Sequence, residues 1–323
     1  MIKKIRIKPL EPLILRSQGE FEPLVTGSHI SAQSLIIPRP STIAGLLGYL
    51  KFKGNANEDW LINLLSQLGD DVKIYGTLIE EGDDESYLYP LRMGNLFALV
   101  DIEILCQLPR ILENTNEKYE EWEKEVYDIF YKKNKLFELT DFQDRIGISL
   151  DRQKKVVKEH YLYTARYLSF KKEINYAIFL EGNLELNETV ANFGGERRIV
   201  KLEVEDSDDI LAKDLSGDYY LAVSPILIPD DIIDSILKED LIVMGKVDKI
   251  SLGFDIAHNR RKEMLTAVLE GSIIKRGFVK KYRELANKSS YSSLLINYEK
   301  IGYNTIYGVN NLMKVRKILL DNS

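Results

Sequence analysis

Arg39, Ser41 and Thr42 stand together in Pro-Arg-Pro-Ser-Thr, and Ile43, Leu46, Leu47 and Leu50 follow at the spacing of one apolar helical face. A helix start that presents unpaired amides, with hydroxyls at its cap and a guanidinium just before it, can hold a phosphate. Pro40 fits the last extended position, and Ser41 or Thr42 fits the cap. The same residues also make an ordinary capped helix, so the motif does not choose by itself. His29, in the loop leading to Arg39, adds an imidazole to the set.

Three other clusters have the same anion-holding character. In RIGISLDR, Ile146, Ile148 and Leu150 alternate with Gly147, Ser149 and Asp151, so an extended segment buries one set and exposes the other. Arg145 and Arg152 flank it. Asp151 either orients Arg152 as a preset phosphate clamp or makes a plain surface ion pair. Gly194 and Gly195 leave amides open to an anion, and Arg197 and Arg198 add guanidinium forks on opposite faces of any following strand. The alternative there is a glycine-rich turn with an internal Glu196–Arg pair. Farther on, Asn259, Arg260 and Arg261 beside His258 can hydrogen-bond bases and phosphates together, and Phe254 either stacks on a base or fills core.

Catalysis has no comparable home. Metal-free RNA cleavage needs a base and an acid, usually histidines, and His29, His160 and His258 share no sequence neighbourhood. The acidic runs at 80–85 and 203–209 read as solvated loops instead of a metal-holding cluster. Neither GxxxxGK[ST] nor GxSxG occurs. No CxxC or paired-histidine spacing predicts zinc, and no cofactor is expected. The lone Cys106, in VDIEILCQL, reads as a small buried hydrophobe.

The net charge of −6 argues against phosphate binding, but its distribution does not. Residues 145–172 hold eight basic side chains against two acidic ones, and residues 258–283 repeat that count. A solvated charged face is the alternative for either window. No apolar run approaches the roughly 20 residues that span a bilayer, and MIKKIRIKPLEPLIL alternates like a strand, so the cytoplasm is expected.

The elements that must position these groups are mixed. A length of 323 residues predicts two domains. Strands are expected at 4–8, in VKIYGTLI, NLFALVDIEILCQL, HYLYTARYLSF, NYAIFLEGNLEL and IVKLEV, in YYLAVSPILI, and near 243–253 and 266–276. Helices are expected at 41–52, at 60–68, within 113–134 and in DIIDSILKED. The polar DRQKKVVKE before the paired strands HYLYTARYLSF and NYAIFLEGNLEL resembles the basic tip of a β-hairpin. SDDILAKDLSGD is the most linker-like segment.

Three of these motifs together resemble the Cmr-type RAMP proteins, specifically the third-subunit family of the type III-B CRISPR effector. They are A-x-S-L-x-x-P-x-P-S-T-x-A-G beginning at Ala32, R-x-G-I-x-L-D-R at 145–152 followed by Leu162-Tyr163, and G-G-E-x-R at 194–198. The loop 245–262 corresponds in position to a family loop richer in glycine, which carries tryptophan where this chain has Phe254. The resemblance implies an α+β fold of two ferredoxin-like, RRM-related domains, 1–205 and 206–323, with long insertions including a β-hairpin thumb. It implies a non-catalytic subunit that anchors the 5′ tag of the guide RNA and docks on the large polymerase-like subunit, beside the backbone RAMP subunits of a hetero-oligomeric ribonucleoprotein. His29, Arg39, Ser41, Thr42, Arg145, Arg152, Gly194, Gly195, Arg197, Arg198, Asn259, Arg260 and Arg261 are then the expected RNA contacts. The alternative is a metal-independent endoribonuclease that processes guide precursors with His29 or His160 as base. No RRM aromatic signature is present, so loops and insertions are expected to hold the RNA.

Overall fold

Lys4, Ile5 and Ile7 are buried along β1 (Ile2–Pro9), and this strand anchors the amino-terminal half. The computed structural model describes residues 2–15, 31–32, 34–51, 60–69, 71–82, 86–113, 119–151, 156–207, 217–238, 241–255 and 260–309. The expected sites His29, Arg152 and Asn259 lie outside the described residues, as do the side chains of Arg260, Arg261, Phe254 and His160.

After β1 come β2 (Ser31–Ala32), α1 (Pro40–Lys51), α2 (Trp60–Leu68), β3 (Lys73–Glu81), β4 (Tyr87–Met93) and β5 (Leu96–Val100). They are followed by α3 (Ile102–Glu113), α4 (Tyr119–Tyr127) with a π-turn at Asp128–Lys132, α5 (Leu136–Leu139), β6 (Thr140–Asp151), β7 (Val156–Phe170), β8 (Ile174–Glu181), β9 (Thr189–Phe193) and β10 (Arg198–Ser207). Seven strands form one sheet in the order β5-β4-β3-β8-β1-β10-β9. β1 is antiparallel to both neighbours, pairing Ile5 with Val204 and with Ile178. β8 is buried along nearly its whole length, as a central strand covered on both faces must be.

The strands flanking 152–155 pair with each other: β6 and β7 form a long antiparallel hairpin, while β8 joins the large sheet. β2 lies parallel to β7, with Ser31 opposite Thr164. The hairpin sheet therefore has the order β2-β7-β6.

The carboxy-terminal half holds β11 (Tyr219–Ala222), β12 (Ile226–Ile228), α6 (Ile233–Leu237), β13 (Ile242–Met244), β14 (Val247–Ser251), β15 (Phe254–Asp255), β16 (Arg260–Arg261), β17 (Met264–Val268), β18 (Ile273–Lys275), α7 (Arg276–Lys288), α8 (Ser292–Lys300) and β19 (Ile306–Gly308). β11 and β12 are separated by residues 223–225 and enter different sheets, and the Val223 and Ser224 amides between them both donate to the Thr305 carbonyl. The sheets run β13-β18-β11-β19 and β12-β17-β14, with β15-β16 as a separate small ribbon.

The hydrophobic core crosses residue 205. Ile5, Ile7, Ile178 and Leu180 share one buried cluster with Leu227, Leu252, Ala267, Tyr298 and Tyr303. Gly271, at φ +86°, shows how closely the halves approach: a Cβ there would stand 2.9 Å from the main-chain carbon of Leu91, and the Arg92 amide donates to the Gly271 carbonyl at 2.8 Å. Beneath the first sheet, Glu80 is fully buried and bound by Lys4 Nζ and Arg6 Nε, each at 2.7 Å, a charge set that is paired as burial demands.

Three local expectations change: the acidic runs 80–85 and 203–209, expected as solvated loops, begin on strands, with Glu80 fully buried on β3 and Glu203 and Glu205 part-buried on β10. The apolar run 95–108 is a strand only as far as Val100; beyond Asp101 it is α3, whose Ile104, Leu105, Leu108, Ile111 and Leu112 bury one helical face. Cys106 consequently lies on a helix and is only partly buried. α1 begins one residue earlier than expected: Thr42 and Ile43 donate their amides to the Arg39 carbonyl, so Arg39 occupies the cap and Pro40 the first helical position.

Candidate nucleic-acid interface

Tyr167 gathers two of the expected clusters. β6 and β7 register Gln143 opposite Tyr167 and Arg145 opposite Ala165, which makes Arg145 the diagonal neighbour of Tyr167. The Arg145 guanidinium carbon lies 4.7 Å from the Tyr167 ring centre, and that of Arg198 lies 4.5 Å from it. Both distances suit cation–π attraction. The ring itself is buried, in a small apolar cluster with Ile14 and Ala165 that is separate from the main core.

Carboxylates from two segments tie this cluster together. Arg198 Nη1 donates to Glu11 at 2.9 Å and Nη2 to Glu196 at 3.3 Å, while the Tyr167 hydroxyl donates to Glu196. The other Glu11 oxygen accepts the Ile199 amide at 2.7 Å. That amide bond is the main cause of the lowered Glu11 pKa, working against burial and joined by Arg198 and Arg145. Burial pushes the Tyr167 pKa up, and Glu196 adds to the rise. Burial opposes the Arg198 charge, yet its pairing with Tyr167 and Glu11 outweighs this and the pKa is raised. Arg198 Nε is buried without a hydrogen-bond partner among the described residues, a donor that the site leaves open.

The glycine loop is bent for a physical reason. Gly194 sits at φ +69°, where a Cβ would come 2.8 Å from the Ile14 carbonyl oxygen. The Gly195 amide donates to that same carbonyl at 2.8 Å, so it is committed to the fold. Glu196 and Arg197 then adopt left-handed backbone at φ +55° and +54°, a costly conformation for residues with a Cβ. The turn that results leaves Arg197 exposed, with no ion pair or hydrogen bond among the described residues. Arg198 points inward to Tyr167 and Arg197 faces solvent.

Two described residues on either side of the His29 segment lie beside this cluster: the Ile14 carbonyl accepts from Gly195, and Ser31 is registered with Thr164 of β7. The Arg39 cluster lies elsewhere and is bound inward. Arg39 Nη1 is 2.8 Å from Glu270 Oε2, Arg92 Nη2 is 3.2 Å from Oε1, and Arg92 Nε donates to the Glu270 carbonyl at 3.0 Å. Burial lowers the Arg92 pKa; Glu270 opposes that shift and Arg39 reinforces it. Tyr303 donates to the Ser41 hydroxyl at 3.3 Å. Pro40 has no amide, and Thr42 and Ile43 bond the Arg39 carbonyl, which leaves the Ser41 amide as the helix-start donor without a main-chain acceptor among the described residues. Geometrically this set is a strut between the halves.

Arg260 and Arg261 lie on β16, registered with Asp255 and Phe254 of β15. In the first basic window, Arg166 is neutralised across the hairpin by Asp144 at 2.7 and 2.9 Å and Lys172 from outside by Glu81 at 2.6 Å, while Lys171 donates to the Phe137 carbonyl at 2.9 Å and keeps its charge. Tyr167 and Glu11 are the members that sequence reasoning missed. The only local signal was the aromatic alternation of HYLYTARYLSF. Among the described residues there is no group of three potential metal ligands, and no helix is long and apolar enough to cross a membrane.

Comparison with known proteins gives matches to part of the chain and to nearly all of it. A family model described as CRISPR-associated protein (Cas_Cmr3) matches residues 107–216, which include the β6–β7 hairpin and the glycine loop. The CRISPR system CMR subunit Cmr3 of Saccharolobus solfataricus is 54% identical over 327 residues, covering 99% of this chain and all of that protein. A chain in a cryo-EM structure of the type III-B Cmr-beta complex bound to cognate target RNA and AMPPnP is 52% identical, with a TM-score of 0.84 over 96% of this chain and 97% of the other. Another, from that complex bound to cognate target RNA, gives 54% and 0.83 over 95% and 96%.

Proposed function

The chain belongs to the Cmr3 family, subunits of the type III-B Cmr complex in CRISPR defence, and from that premise we propose that it is a non-catalytic RNA anchor whose working surface is the Tyr167 cluster. The observation that carries this reading is the convergence of Arg145, from the hairpin, and Arg198, from the glycine loop, on one buried ring, with Arg197 left exposed beside them. Arginines whose positions are set by stacking and carboxylates lose little freedom when they meet a phosphate. The β6–β7 hairpin serves as the thumb, and Arg152 and His29 join Arg145 on the same RNA.

The RNA segment is the 5′ tag of the guide, and the protein docks on the large polymerase-like subunit, beside the backbone RAMP subunits, in the cytoplasm. The related chains of the solved structures belong to complexes bound to cognate target RNA, which supports an RNA-facing role. Target choice is left to guide pairing. Strand order supports two ferredoxin-like domains: in β10-β1-β8-β3 and again in β19-β11-β18-β13, the first strand of the half lies between its last and its third. With a net charge of −6, the chain alone binds RNA weakly and gains affinity in the assembly.

The test is tag-RNA binding by the assembled complex carrying Arg145→Gln and Arg197→Gln. Loss of two charge-assisted contacts lowers affinity by about 10- to 100-fold. Unchanged affinity would contradict the proposal, and RNA cleavage abolished by His29→Ala would replace it with the nuclease reading.

A further inference from the structure

We infer that the outer face of α7 is a second RNA contact, one that grips the phosphodiester backbone independently of the Tyr167 cluster. Arg276, Lys280 and Arg283 recur at i, i+4 and i+7 on this helix, with Lys275 immediately before it. A rise of about 1.5 Å per residue sets them in one row roughly 10 Å long. All four are exposed, and none has an ion pair or hydrogen bond through its side chain among the described residues. The opposite face of α7 is spent on packing, with Phe278, Val279 and Ala286 buried.

This row is not explained by the stability of the helix. The first turn of α7 has no acidic residue, and Lys275 and Arg276 sit at the helix end where the dipole already favours negative charge. The one acid on the helix, Glu284, is taken by Lys288 at 2.8 Å. Elsewhere exposed cations are commonly neutralised, as in Arg166–Asp144, Lys172–Glu81 and Lys132–Asp128. A row of unopposed cations on a protein of net charge −6 is a concentrated positive field that calls for an external anion.

The chemistry of the row favours phosphate over a protein surface. Protein interfaces place aromatic and apolar residues at their centre and, although they use arginine, are depleted in lysine. The other exposed positions of α7 are Gly277 within the row and Glu284, Asn287 and Lys288 after it, with no apolar side chain among them.

The experiment uses the assembled complex with guide RNA alone and with guide plus target RNA. It compares wild type with Arg276→Gln/Lys280→Gln/Arg283→Gln by crosslink mapping and by RNA affinity between 50 and 300 mM salt. Three lost phosphate contacts reduce the log–log salt slope by about 2, at roughly 0.7 per phosphate on a single strand. Crosslinks on peptides spanning 275–283 are expected. Their presence with guide alone identifies the guide, and their appearance only after target addition identifies the target. The melting temperature of the variant is expected to change little: Lys280 and Arg283 are exposed and unpaired among the described residues, and loss of Arg276 removes a cation from the positive end of the helix. An unchanged salt slope, or crosslinks from α7 only to polypeptide, overturns the inference. Crosslinks on α7 that persist in Arg145→Gln/Arg197→Gln separate this contact from the Tyr167 reading, which fails or stands on its own variant.

Discussion

Arg198 holds its guanidinium carbon 4.5 Å from the centre of the Tyr167 ring while its Nη1 donates to Glu11 at 2.9 Å. This fixes an arginine from the glycine loop against a tyrosine of the hairpin, residues that are 31 positions apart in the chain. Tyr167→Phe keeps the ring and removes the hydroxyl bond to Glu196, which is expected to cost about 1 kcal/mol of stability and little RNA affinity. Tyr167→Leu removes the attraction for both Arg145 and Arg198 and is expected to cost about 2 kcal/mol, with a roughly tenfold loss of RNA affinity. Denaturant unfolding and RNA titration of both variants check this. Equal behaviour of Phe and Leu would deny the ring its role.

Arg197, at φ +54°, separates charge from conformation. Arg197→Ala keeps the strained backbone and Arg197→Gly relieves it, so the glycine variant is expected to be more stable than the alanine variant by about 1 kcal/mol. Both lose the same RNA affinity. An alanine variant that binds RNA like wild type would remove Arg197 from the interface.

Glu270 is buried against Arg39 and Arg92, and Glu270→Gln leaves those two cations without their counter-charge. The expected loss is about 3 kcal/mol in denaturant unfolding. RNA affinity at a temperature where the variant remains folded should be unaltered if the Arg39 set is a strut. A large affinity loss in a stably folded Glu270→Gln variant would instead return Arg39 to the RNA.

The folded-state pKa of Glu11 is depressed below its ordinary value of 4.5, chiefly by the Ile199 amide. Its contribution to stability is therefore complete above that value and disappears as pH falls through the depressed one. Wild type should exceed Glu11→Gln in stability at pH 7, and the two should converge on the acid side. Parallel acid limbs would show that Glu11 carries no such linkage.

The parts legible in the sequence were those with local signatures. The spacing of WLINLLSQL matches α2 at Trp60–Leu68, and the glycine pair does mark a sharp turn. The stretch after Val100 looked extended because VDIEILCQL alternates over a few residues, whereas its full helical face emerges only over 104–112 and carries Pro109 inside the helix. β4 was missed because Pro90 argues against a strand; it is tolerated because the β3 ladder reaches only Tyr87 and Leu88. Most of the Tyr167 cluster was beyond reach for another reason. Glu11, Arg145, Tyr167 and Arg198 meet only through the pairing of the hairpin and the closure of the glycine loop on Ile14, and no local pattern encodes that meeting.

The most direct measurement is an RNA–protein crosslink map of the assembled complex loaded with guide RNA, read together with the integrity of that RNA. Crosslinks from the 5′ tag to peptides carrying Arg145 and Arg197, with the RNA intact, are the predicted result. Tag crosslinks that fall elsewhere while both peptides stay silent, or cleavage of the guide dependent on this chain, would contradict the anchor.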